Sequence, residues 1–219
     1  MSERQQAEIT RPAPRLYLVT PEVEDAAAFA RALAPVLAAA DVAAVLLRLK
    51  PADERTLINR VKALVPAVQQ SGAALVLAGH PGIVARAGAD GAHLAGIEVF
   101  QAALASLKPE RIAGCGGLQS KHDAMTAAEQ GADYVLFGEP EDSRRRPAFE
   151  AIVERVEWWA EVFEIPCVGF AASLDEISAL AAAGADFVAV GDLVWQDPGG
   201  PEAAIAAATE RLARPEPVA

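Results

Sequence analysis

One feature constrains this chain more than any other: an alternation repeated along almost its whole length. A short apolar run is followed each time by a longer, often Ala-rich stretch long enough for a helix. The apolar runs lie at 16–20, 42–48, 73–78, 91–94, 111–115, 133–138, 166–170 and 187–191. The helical stretches lie at 22–40, 52–71, 81–87, 97–107, 120–130, 147–163, 174–183 and 201–214. Strands separated by helices must cross over and run parallel. Eight such units in about 200 residues predict a compact α/β fold, a single (β/α)8 TIM barrel with parallel strands. An open doubly wound sheet is the alternative, because the reversal of strand order that it needs is not visible in a sequence. The barrel is expected over residues 15–214. The polar segment 1–14 and residues 215–219 are expected to be flexible tails.

An internal echo supports the repeat. Gly88-Ala89-Asp90, Gly131-Ala132-Asp133 and Gly184-Ala185-Asp186 each stand between a helical stretch and the next strand. Glycine supplies the left-handed residue that ends a helix, and aspartate suits a turn. Ser173 and Glu176 are spaced as a capping box at the start of the seventh helix. Trp158, Trp159 and Phe163 cluster on the sixth helical stretch; core is the first reading, and a homodimer patch the other.

Composition narrows the function. The net charge is −11, so the surface is a poor general binder of a nucleic-acid phosphate backbone, although one small basic pocket remains compatible with it. With 53% hydrophobic residues the chain is not disordered. No apolar stretch reaches the ~18 residues needed to cross a bilayer, and residues 1–14 lack the apolar centre of a secretory signal. Two cysteines, Cys115 and Cys167, make no disulfide framework and are read as small core residues. A reduced, cytoplasmic protein with no membrane or nucleic-acid partner is the expectation.

In a barrel of this kind, chemistry is read at the C-terminal strand ends. Along the second strand, Leu46, Arg48 and Lys50 share one direction. Two neighbouring cations there suggest an anion site, unless both reach into water or pair with acids. His93 ends the fourth strand and can serve as acid or base, hold phosphate, or sit as a bonded wall residue. His80, on the loop after the third strand, faces the same end in a segment that turn chemistry largely explains. Glu98 is a lone carboxylate available to a metal. Ser143-Arg144-Arg145-Arg146-Pro147 precedes a helix and reads as a phosphate loop, a solvated run or a partner-binding loop. The eighth strand ends in Gly191-Asp192, where a carboxylate would repel phosphate.

These residues together resemble the thiamine phosphate synthase family and its relative, the thiazole tautomerase. The likeness rests on Leu16-Tyr17-Leu18-Val19-Thr20, Arg48-Leu49-Lys50, Gly88-Ala89-Asp90-Gly91-Ala92-His93-Leu94, Gly131-Ala132-Asp133-Tyr134-Val135 with Phe137-Gly138, and Gly184-Ala185-Asp186. It implies a TIM barrel that joins hydroxymethylpyrimidine diphosphate to thiazole phosphate, releases diphosphate and uses Mg²⁺. The resemblance implies Arg48 and Lys50 for catalysis, Ser143 and Arg146 for substrate and Glu98 for the metal; the residues themselves add His93 for catalysis and Thr20, Gly191 and Asp192 for substrate. Its implied partner is a small phosphorylated or heterocyclic ligand. The chain departs from the family pattern at several positions. Leu46 stands for a glutamine, Ala78-Gly79 for the Asn-Asp pair, Phe170-Ala171 for a Gly-Gly phosphate turn, Asp192 for a serine, and Gln119 for the tautomerase histidine. A divergent, inactive relative is therefore an alternative: a ligand-binding or regulatory barrel, with Phe170 stacking on a heterocycle. An isomerase using His93 or His80 is another.

Overall fold

Alternating strands and helices leave every strand with both faces covered, and the structure shows how. A computed structural model describes residues 12–140 and 146–213. Its strands are β1 (Arg15–Val23), β2 (Val42–Leu49), β3 (Ala74–Ala78), β4 (Gly91–Ala95), β5 (Ile112–Gly116), β6 (Tyr134–Phe137), β7 (Cys167–Ala171) and β8 (Phe187–Val190). They close in sequence order into a parallel barrel. The ring is sealed by β1 against β8, with Leu16 beside Val188 and Leu18 beside Val190. The open-sheet alternative is excluded.

The helices are α1 (Ala26–Ala38), α2 (Glu54–Gln69), α3 (Val84–Ala87), α4 (Ile97–Leu107), α5 (Lys121–Glu129), α6 (Phe149–Val162), α7 (Leu174–Ala182), α8 (Asp192–Trp195) and α9 (Pro201–Leu212). Two differences from the sequence reading have local causes. Glu22 and Val23 belong to β1, and α1 starts only after Asp25, whose side chain accepts the Ala28 amide at 2.9 Å. The expected capping box at Ser173 is only half made. Ser173 accepts from the Glu176 amide, but the Glu176 carboxylate reaches past it to the Ala172 amide at 2.7 Å. A full box forms instead at Ser120 and Asp123. Helix α8 has no counterpart in the sequence reading.

Strand alternation divides the apolar residues into two clusters. Tyr17, Val19, Leu46, Val76, Leu136 and Val168 belong to a group made of strand residues, which fills the barrel. Leu16, Leu18, Val45, Leu47, Leu75 and Leu77 pack with the helices. Both faces of each strand are thus buried, which explains the continuous apolar runs. Trp159 is fully buried, donates its indole N–H to the Ile165 carbonyl at 2.7 Å and stacks on Phe163. Trp158 is half-buried beneath the Lys121 ammonium.

The Gly-Ala-Asp echo has one mechanical role, repeated at the base of the barrel. Asp90 accepts the Leu75 amide at 2.7 Å, Asp133 the Ala113 amide at 2.7 Å, and Asp186 the Cys167 amide at 2.8 Å. The backbone of each aspartate also donates to the carbonyl of the same residue. Each clamp ties the turn before an even strand to the start of the preceding odd strand. Gly88, Gly131 and Gly184 all adopt positive φ to make the turn. Asp133→Ala leaves the Ala113 amide without its acceptor and is expected to cost about 1–3 kcal/mol in urea denaturation.

Candidate ligand site at the barrel mouth

A cavity of about 1120 Å³ opens at the C-terminal strand ends and is lined from β1 round to β8. Arg48, on the penultimate residue of β2, lines it. Its backbone amide donates to the Thr20 hydroxyl at 3.0 Å, and that hydroxyl donates to the Pro21 carbonyl at 2.8 Å. Thr20 is therefore buried and fully engaged in joining β1 to β2, while also lining the cavity. The half-buried Arg48 guanidinium has no hydrogen bond or ion pair among the described residues.

Lys50 does not share this position. Strand β2 ends at Leu49, so the alternation that would aim Lys50 with Arg48 stops one residue short. Its ammonium pairs with Glu24 at 2.6 Å on the exposed rim, outside the cavity lining. The expected pair of cations is thus a single cation in the mouth.

The cavity floor holds a buried polar chain. The Tyr17 and Tyr134 hydroxyls are 2.7 Å apart, Tyr134 is 3.0 Å from His93 Nδ1, and His93 Nε2 is 3.0 Å from a Glu139 oxygen. The other Glu139 oxygen accepts the Gly117 amide. A carboxylate only accepts, so Nε2 carries a proton; in the neutral ring Nδ1 accepts from Tyr134, which accepts from Tyr17. Burial alone would raise the Glu139 pKa. Attraction to His93, the hydrogen bond from its ring and the Gly117 amide outweigh burial and hold the carboxyl below its ordinary value. Burial raises both tyrosines and keeps them protonated. Glycine is required beneath this chain: a Cβ at Gly116 would collide with Glu139 and His93, and one at Gly114 with the Tyr134 ring.

His93 is thus a bonded wall residue, 4% exposed, with both ring nitrogens in use. Glu139 is the member of the chain that lines the cavity beside it. Sequence reasoning missed Glu139; its one local signal is a carboxylate in the turn Phe137-Gly138-Glu139-Pro140 at a strand end. His80 is exposed, adopts φ 54° ahead of a 3₁₀ turn and does not line the cavity.

On the far wall, Arg146 is occupied. Its guanidinium donates to the Gly138 and Phe170 carbonyls and to both oxygens of Glu176, at 3.0 and 2.7 Å. The cation expected for a phosphate loop is therefore neutralised within the protein. Ser143 lies outside the described residues. Gly191 and Asp192 line the cavity where β8 passes into α8. Asp192 and Glu98 are both exposed. Neither carboxylate has a partner among the described residues. No cluster of three or more His, Cys, Asp or Glu side chains suited to a metal occurs among the described residues. Mg²⁺ held mainly by ligand phosphates needs only one or two protein carboxylates, a demand Glu98 fits.

Cys115 and Cys167 are both buried, as expected of core residues. Burial, then the charges of Glu139 and Asp123, push the Cys115 thiol up to about 12. It is therefore protonated at neutral pH. Ellman's reagent at pH 8 is expected to leave Cys115 untouched until the chain is unfolded. No helix among the described residues is long and apolar enough to cross a membrane.

Comparisons with known proteins bear on the family and the fold. Residues 16–194 match the family described as thiamine monophosphate synthase. A thiamine-phosphate synthase of Rhodospirillum centenum is 41% identical over 88% of this chain and 94% of its own length. One from Hyphomonas neptunium is 37% identical over 90% of this chain and 93% of its own. In fold, the chain is similar to a thiamine phosphate pyrophosphorylase from Pyrococcus furiosus, with a TM-score of 0.73 at 20% identity, over 91% of this chain and 95% of that one.

Proposed function

Because the chain belongs to the thiamine monophosphate synthase family, we propose that it carries out a synthase-type condensation at the barrel mouth, joining hydroxymethylpyrimidine diphosphate to a thiazole acceptor. In the family the acceptor is thiazole phosphate. The methylene–oxygen bond breaks, its electron pair leaves with diphosphate, and the thiazole nitrogen forms the new bond to the methylene carbon. The observation that carries the reading is the Arg48 guanidinium, which lines the cavity and has no partner among the described residues.

Arg48 binds the diphosphate and meets the charge that grows on it as the bond breaks. Glu139, held ionised on the floor, favours the opposite charge that develops on the pyrimidine side. His93 fixes the Glu139 carboxylate, and Thr20 holds the strand that carries Arg48. Mg²⁺, when bound, adds positive charge to the leaving diphosphate, with Glu98 as the protein group that would hold it. The reading includes a cytoplasmic protein, with a homodimer as its assembly and no nucleic-acid or membrane partner.

A second reading, a ligand-binding or regulatory barrel without turnover, is favoured by the internally paired Arg146 and by Asp192. An isomerase using His93 or His80 has less support, since His93 is saturated and His80 stands outside the cavity. Purified protein supplied with the pyrimidine diphosphate, Mg²⁺ and a thiazole, tried as phosphate and as alcohol, is expected to form condensation product. None above a heat-killed control with either acceptor contradicts the synthase reading.

A further inference from the structure

Closing the strands in sequence order sets β2 opposite β6 across the ring. Arg48 stands near the end of β2, and Glu139 stands in the turn after β6. Both line the cavity, which therefore carries a cation on one side and a carboxylate on the facing side. Glu139 is largely buried, with a side-chain exposure of 17%. Its bonds to the Gly117 amide and to His93 Nε2 use one acceptor position on each oxygen. An ionised carboxylate offers about four such positions, so roughly half remain for a ligand. Val19, Leu46, Leu136 and Phe170 are buried hydrophobic residues on the same lining. Apolar walls with few polar groups suit a flat ring whose orientation those groups fix. Leaving a buried acceptor unsatisfied is costly, so this carboxylate favours a ring that bears an N–H donor.

We propose that Glu139 is the specificity residue for the pyrimidine, accepting the N–H of its exocyclic 4-amino group while Arg48 holds the diphosphate. This rests on the synthase reading for the identity of the ligand. The ligand has the polarity of the cavity, with an anion at one end and an amino donor on the ring at the other. Carboxylate side chains accept from a 4-aminopyrimidine in the same way when they meet the amino group of cytosine. His93 is a positioning residue here: its Nε2–H and the Gly117 amide hold the two Glu139 oxygens in place, and Gly116 leaves room for both side chains. The same two bonds keep the carboxyl ionised, and a charged acceptor bonds about twice as strongly as a neutral one.

Isothermal titration of two esters, with Mg²⁺ and no thiazole present, tests this without the condensation. One is the 4-amino pyrimidine diphosphate; the other carries a methyl group in place of the amino group and keeps its shape. Wild type is expected to bind the amino ester at least tenfold more tightly. Glu139→Gln is expected to cut that preference at least threefold, with thermal melting to verify the fold. A merely structural role would weaken both esters alike and leave the ratio unchanged. An unchanged ratio in the variant, equal binding of the two esters by wild type, or binding of neither overturns the proposal; should the variant fail to fold, the wild-type ratio decides. Preference for the amino ester without any condensation product sinks the synthase reading and leaves this one standing. Product formed while wild type binds the two esters equally does the reverse.

Discussion

Replacing Arg48 with alanine is expected to lower kcat/KM for the pyrimidine diphosphate by about a hundredfold to a thousandfold, or roughly 3–4 kcal/mol of lost transition-state stabilisation. The size of the effect follows from the poverty of the site. Arg48 is the cation in the cavity lining with no partner among the described residues, since Arg146 is bonded to Glu176. A guanidinium aimed at a leaving group that gains charge acts mainly in the transition state, so kcat as well as KM should suffer. The fold should not, because the contact that joins β1 to β2 uses the Arg48 backbone amide, which alanine keeps. Lys50→Ala provides the contrast. Its ammonium pairs with exposed Glu24 outside the cavity, so the rate is expected to stay unchanged.

The second large effect is on stability. His93→Ala strips a buried carboxylate of its main partner and is expected to cost about 3–5 kcal/mol in urea denaturation. Glu139 would keep only the Gly117 amide. Changing both, as His93→Leu with Glu139→Gln, should recover part of the loss, because the two groups are coupled. The pair also leaves a signature in pH. The Glu139 carboxyl lies below its ordinary value in the folded chain and returns to about 4.3 on unfolding. Between those values the unfolded chain binds more protons, so stability falls as the pH drops. The contribution is complete above the ordinary glutamate value and is lost as the pH passes down through the lowered one. Glu139→Gln should flatten this acid limb in urea midpoints measured from pH 6 to pH 3. A loss under 1 kcal/mol in His93→Ala, or an unaltered acid limb in Glu139→Gln, would contradict the pairing.

What the sequence disclosed and what it hid divide along physical lines. The barrel was legible because strand and helix periods are local, and because Asp90, Asp133 and Asp186 recur at equivalent joints with one shared task. Arg48 was legible from alternation along a strand. Lys50 was misread because alternation holds only while the strand lasts, and β2 ends at Leu49. The neutralisation of Arg146 was hidden, since its partner lies thirty residues onward, on α7. The Glu139–His93 pair spans 46 positions and exists only because Gly116 leaves room for both side chains. Such pairings are products of ring closure, and local pattern carries no trace of them.

The central claim is that one guanidinium, Arg48, receives the diphosphate. A crystal structure grown with inorganic diphosphate tests it most directly. The account predicts diphosphate density against the Arg48 guanidinium, with Arg146 and Glu176 still joined. Density on Arg146 and the Ala172 amide with Glu176 displaced, or an Arg48 side chain turned to solvent with no diphosphate beside it, would contradict it.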